Sequence, residues 1–186
     1  IIAIQISKGS RLKTSDIIDG IELAVFREAD VVNMSFGGGF SQAEANAITA
    51  ASNAGLVLVA SAGNSSGGSV GFPAALPEVI AVSASTITDT LASFSSVGDG
   101  VIDGFGDVSL IAPGANIFTT YKDGAYVHIN GTSFSAPAVA GVAALVLAQD
   151  PSRTNAQVRA ILEGSAQDLG LSPAQQGSGL VDAENA

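Results

Sequence analysis

Short β-branched, apolar runs alternate along the chain with longer stretches of helical periodicity. IIAIQIS (1–7), VVNMSFG (31–37), LVLVASAG (56–63) and VIAVSAST (79–86) read as strands. Their nearly unbroken hydrophobicity suits strands buried on both faces, as in a parallel sheet covered by helices. Between the first two lies SDIIDGIELAVFREA (15–29), with Ile17, Ile18, Ile21, Ala24 and Val25 on one helical face and Ser15 as the expected N-cap. Between the next two, in SQAEANAITAASNAG (41–55), Ser41 and Glu44 fit the spacing of a capping box and Gly55 suits the position just past a helix end. Strand–helix–strand units repeated in this way predict right-handed crossovers and an α/β fold.

From Thr88 to Ile117 the pattern becomes irregular and Gly-rich, and a short FTTY follows. Residues 133–149 are then strongly helical and rich in Ala and Val, which predicts a helix buried nearly all round. A last helix is expected at 154–163, opened by a Thr154–Gln157 capping box and closed by Gly164. No internal repeat, low-complexity tract or linker interrupts the chain, so residues 1–186 are expected to form one compact domain.

Composition changes this picture little but narrows the chemistry. A net charge of −10 argues against nucleic acid and anionic membrane as partners. No uninterrupted apolar run reaches the roughly 18 residues of a membrane-spanning helix, so none is expected. With no cysteine, disulfides, thiolate metal sites and cysteine catalysis drop out.

Ligands of parallel α/β sheets bind outside the carboxyl ends of the strands. Three polar, Gly-rich stretches fall there: NMSFGGG (33–39), SAGNSSGG (61–68) and the turn in NGTSFSAPAVAGVAAL (130–145). Asn64 follows a buried strand, where a carboxamide could donate to a developing oxyanion; equally, Asn there is a common turn former. Ser133 opens the buried helix, so its backbone N–H is one of the unpaired donors of the first turn and lies at the positive end of the dipole. Its hydroxyl reads either as a presented nucleophile or as an N-cap.

Taken together, GTSFSAP, SAGN and MSFGG resemble the three signatures of subtilisin-like serine proteases, and TNAQVRAILEGSAQDLG through GSGLVDAENA is similar to the end of that catalytic domain. The resemblance covers the whole chain. It implies a three-layer fold with a mostly parallel sheet flanked by helices, here lacking its N-terminal strands. It makes Ser133 the nucleophile and Asn64 the side-chain oxyanion donor. Ser35, Phe36 and Gly37 become a backbone rail for an extended peptide, and Ser61, Ala62 and Gly63 one wall of the primary specificity pocket. The implied protein is a secreted endopeptidase acting on polypeptides. A non-catalytic module of the same fold, binding extended peptides along Ser35–Gly37, is the alternative. The related sedolisins carry Asp in place of Asn64, and an α/β-hydrolase needs a histidine after its serine; no His lies between Ser133 and Ala186.

In that family a catalytic Asp and His precede everything present here, so the chain is expected to be the C-terminal two-thirds of a catalytic domain, with the N-terminal portion as its partner. His128, the single histidine, does not replace the absent base. It sits in YVHINGTS, an extended approach advancing about 3.3 Å per residue, and would need a sharp reversal to reach Ser133. No cofactor is expected for the chemistry. Structural calcium is a possibility raised by Asp99, Asp103 and Asp107, which recur every four residues among glycines; the metal ligands are otherwise unknown, and a solvated acidic turn is the simpler reading.

Overall fold

A strand whose every side chain is apolar must be covered on both faces, and this requirement organises the chain. The computed structural model describes residues 1–7, 9, 11–99 and 106–186. In chain order the elements are α1 (Thr14–Phe26), β1 (Val31–Met34), α2 (Gln42–Asn53), β2 (Val57–Ser61), β3 (Val79–Ser85), β4 (Leu110–Pro113), β5 (Ile117–Thr120), β6 (Tyr126–Ile129), α3 (Thr132–Gln149), α4 (Asn155–Ser165) and α5 (Pro173–Gln176). Strands β1 to β4 form one parallel sheet in sequence order, with Val31 beside Val57, Leu58 beside Val79 and Val82 beside Leu110. Strands β5 and β6 form a separate antiparallel hairpin.

Alternate residues of each central strand enter opposite layers. Leu58, Ala60, Val79 and Ala81 pack with Ile17 and Ile21 of α1 and Ile48 of α2. Val57, Val59, Ile80 and Val82 pack with Val139, Val142 and Val146 of α3 and Val158 and Leu162 of α4. Burying one such aliphatic side chain contributes about 1.5–3 kcal/mol. The one ion pair among the described residues, Arg159–Glu163 at 2.8 Å, is partly exposed and of the class worth at most about 1 kcal/mol. Packing of the two layers therefore dominates.

Several local expectations are corrected. Residues 1–7 form no strand and lie in no sheet; Ile4 and Ile6 pack on the α1 layer instead. Helix α1 starts earlier than expected: Lys13 is its N-cap, and the Ser15 hydroxyl, already inside the helix, bonds to Asp16. Gly164 lies within α4, which runs to Ser165, although the Thr154–Gln157 capping box forms as expected. Finally, α3 is not buried all round. Pro137, Gly141, Ala144 and Ala148 stay exposed while Val139, Ala143 and Val146 are enclosed. This helix is long and apolar enough by length and composition to cross a membrane, yet its inner face lies on the β-sheet.

The outer face of α3 borders a cavity of about 860 Å³ between residues 1–6 and the open edge of β1. Ile2, Ile4, Val32, Met34, Ala140 and Ala144 line it. Strand β2 is buried throughout, whereas on β1 only Met34 is buried.

Helix α2 starts as read, with the Ser41 hydroxyl accepting from the Glu44 N–H. The Glu44 side chain does not reach back to complete the box. It is buried, and among the described residues it makes no ion pair. Burial raises its pKa above the ordinary value, because water no longer solvates the carboxylate. A carboxyl with a raised folded-state pKa favours the fold when protonated, and that contribution fades as pH rises through the folded pKa. Glu44→Gln is therefore expected to raise the denaturant midpoint at pH 7, with the gain vanishing below about pH 4, where the unfolded glutamate also protonates. Urea melts of the two proteins across pH check this.

Candidate active site

The carboxyl ends of β1 and β2 converge on the first turn of α3. Ser35, Phe36 and Gly37 follow β1 and belong to no ladder; pairing resumes at Gly38, whose N–H donates to the Phe72 carbonyl at 3.0 Å. Ser61 ends β2, and Ala62, Gly63 and Asn64 turn away from it. Gly63 has φ +116°, and a Cβ there would come within 2.9 Å of the Ser96 hydroxyl. Both the backbone conformation and the close approach thus require glycine.

Gly131 is the N-cap of α3 and has no side chain with which to cap it. Ser133 is therefore the second helical residue, and its hydroxyl is not engaged as an N-cap. Its N–H belongs to the first turn, where no helical carbonyl lies four residues back, and it donates no hydrogen bond among the described residues. The Ser133 Oγ–H donates to the Ser35 carbonyl at 3.4 Å, and the Ser35 hydroxyl donates to the Ser133 carbonyl at 2.9 Å.

Thr132 joins this turn to the end of β2. Its N–H and its hydroxyl each donate to Asn64 Oδ1 at 3.0 Å, and its Oγ1 accepts from the Gly63 N–H at 3.2 Å. Thr132 is 1% exposed, whereas Asn64 is exposed, so these bonds are part-buried, with the threonine end out of water. They orient the carboxamide: with Oδ1 taken up, Asn64 presents Nδ2, which lies 3.6 Å from where a Cβ on Gly131 would be. Sequence reasoning did not single out Thr132. Its partners are 68 and 69 residues away, and the Gly-Thr-Ser order was the one local sign.

His128 lies elsewhere in the network. It is on the exposed face of β6, its ring 5.0 Å from that of Phe118 and its Nδ1 3.2 Å from the Asn116 carbonyl, to which it donates. Of the acidic loop, Asp103 lies outside the described residues, and Asp99 and Asp107 are each engaged in an interaction. Among the described residues no group of three or more His, Asp or Glu side chains is gathered to hold a metal.

Thr132→Val keeps the shape of the side chain but removes the hydroxyl that both donates to Asn64 and accepts from Gly63. Losing a hydrogen bond held by a buried hydroxyl of this kind costs about 1–3 kcal/mol. The variant should melt earlier by that amount, and the Asn64 NH₂ resonances should broaden as the carboxamide loses its fixed orientation. An unchanged melt with sharp Asn64 signals would remove Thr132 from this role.

The subtilase family profile matches residues 1–179. The chain is 44% identical over 175 residues to subtilisin amylosacchariticus of Bacillus subtilis subsp. amylosacchariticus, covering 91% of this chain and 44% of that protein. It is also 44% identical over 171 residues to the halolysin-like extracellular serine protease Nep of Natrialba magadii, covering 91% of this chain and 30% of that protein. Among solved structures, the S41 psychrophilic protease superposes with a TM-score of 0.78 at 37% identity, over 86% of this chain and 57% of that one. The prenylagaramide maturation protease PagA superposes with a TM-score of 0.83 at 27% identity, over 98% and 70%. The chain thus spans less than half the length of the curated relatives named here, but the match runs through every element that builds the site. It belongs to the subtilase family.

Proposed function

We propose that this chain is the nucleophile-bearing part of a serine endopeptidase that works outside the cell, as the extracellular relative Nep does. Ser133 Oγ attacks the scissile carbonyl carbon while a histidine on an N-terminal portion takes its proton, and an aspartate there orients that histidine. The tetrahedral oxyanion is held by Asn64 Nδ2 and the Ser133 N–H, at the positive end of the helix dipole. Collapse breaks the peptide C–N bond and forms the Ser133 ester; the histidine returns its proton to the leaving amine, and water then hydrolyses the ester. The peptide pairs along Ser35, Phe36 and Gly37, and its side chain enters a pocket walled by Ser61, Ala62 and Gly63.

The observation carrying this reading is the orientation of Asn64. Thr132 occupies its oxygen from two donors, which leaves an amide N–H group beside the Ser133 turn. A module that only bound peptides would have no use for that arrangement.

We assign the apolar cavity beside β1 to the N-terminal portion. An apolar strand placed there, parallel to β1, would pair the open edge and cover Ile4, Met34 and Ala144. Its carboxyl end would then arrive beside Ser35, where a base for Ser133 is needed.

A fluorophosphonate probe applied to the full-length parent protein should label Ser133, and Ser133→Ala should abolish labelling. Asn64→Ala should slow the reaction about 10²- to 10³-fold, the usual loss for one oxyanion donor. Absence of label on Ser133 in the full-length protein, with peptide binding retained, would replace this reading by that of a binding module. The 186-residue chain alone should stay unlabelled. It should also self-associate instead of running as a monomer, because the open β1 edge leaves N–H and C=O groups without partners. Sedimentation and a thermal melt test this; a monomer with one cooperative transition would contradict it.

A further inference from the structure

We infer that Ser35, besides lending its backbone to the rail, is a positioning residue for the nucleophile, and that Pro137 creates the need for it. In an α-helix the Ser133 carbonyl would accept from the N–H of residue 137. That residue is Pro137, inside α3, and proline has no N–H. The donor comes instead from outside the helix, as the Ser35 hydroxyl at 2.9 Å. The hydroxyl is held for this task by Asn33 at the end of β1, whose Nδ2 donates to Ser35 Oγ at 3.0 Å. That leaves the hydroxyl hydrogen to choose between the Ser133 carbonyl at 2.9 Å and Asn33 Oδ1 at 3.4 Å, and the shorter bond wins.

The consequence is a tie between two distant segments. Residues 35 and 133 are 98 positions apart, yet each donates a side-chain hydroxyl to the other's carbonyl. A base arriving at Ser133 would replace the weaker contact, the 3.4 Å bond from Ser133 Oγ, without touching the stronger one. The nucleophile's backbone would then stay fixed to the rail while its hydroxyl is free to react. Proline at 137 thereby exchanges an internal helix bond for one that sets the distance between rail and nucleophile.

This inference rests on the serine endopeptidase reading, and its test is a double-mutant cycle in the full-length protein. Ser35→Ala leaves the rail backbone intact, so KM should hold while kcat falls about tenfold, the effect of one neutral hydrogen bond on a barrier. Pro137→Ala restores an N–H four residues after Ser133, and in that background Ser35→Ala should cost no more than about twofold. Ser35→Thr keeps the hydroxyl and should retain most of the rate. Equal losses from Ser35→Ala in both backgrounds, or a loss confined to KM, would overturn the assignment. Denaturant midpoints of the same four proteins carry the cycle without turnover: non-additive midpoints support the tie, and additive ones refute it. A parent protein that never acylates but shows coupled midpoints would refute the peptidase reading and leave the Ser35–Ser133 tie standing.

Discussion

The junction between Thr132 and the end of β2 is the contact on which the site depends. A parallel sheet delivers every strand's carboxyl end to the same side, but it does not by itself decide what meets them there. Here the meeting is made by one threonine, whose N–H and hydroxyl converge on Asn64 Oδ1 and whose oxygen receives the Gly63 N–H. The first turn of α3 is thus hydrogen-bonded to the β2 exit directly, and through Ser35 to the β1 exit as well. Two strands paired in a ladder, and a helix joined to their exits by side chains, hold Ser133 and Asn64 in one place. Because Thr132 is buried, losing one of its bonds leaves its own polar groups without a substitute partner, which makes the arrangement stiff.

The same junction explains what could and could not be read in the sequence. Strands β2 and β3 were legible because burial on both faces demands long apolar runs, and LVLVASAG and VIAVSAST have few other uses. The α4 capping box was legible because its chemistry is local, confined to Thr154 and Gln157. Strand β4 was not seen. It has four residues, Leu110 to Pro113, ends in proline and follows Gly-rich turns, so nothing in its own pattern separates it from loop. The IIAIQIS segment failed in the opposite sense. Its pattern suits a strand, but strand formation needs a partner, and a partner is not a property of the segment.

Within the site, Ser133 and Asn64 were found through motifs, while Thr132 and the second role of Ser35 were not. Motif reading identifies residues whose type is unusual for a position. A buried threonine before a serine, or a serine after a strand, is unremarkable in type. What distinguishes them is whom they touch, 68 and 98 residues away. Helix periodicity misled for a related reason. A helix such as α3, apolar on every side, reads as surrounded, whereas the structure covers one side and leaves the other facing a cavity.

That uncovered side and the open edge of β1 are one problem, not two. A helix apolar all round needs cover on both faces, and a central-type strand needs a hydrogen-bonded neighbour on each edge. Both deficits face the same cavity: Ala140, Gly141 and Ala144 from α3, and Val32 and Met34 from β1. Small residues on the helix side leave room for an extended backbone to come close, and a strand is the one element that could satisfy the edge and cover the helix together. If it runs parallel to β1, as every neighbour in this sheet does, its end must emerge next to Ser35. The element that would complete the packing would therefore also be the one able to deliver a base to Ser133. On this reading the domain cannot acquire its full core without acquiring its chemistry in the same step, so stability and activity would be lost together when that strand is withheld.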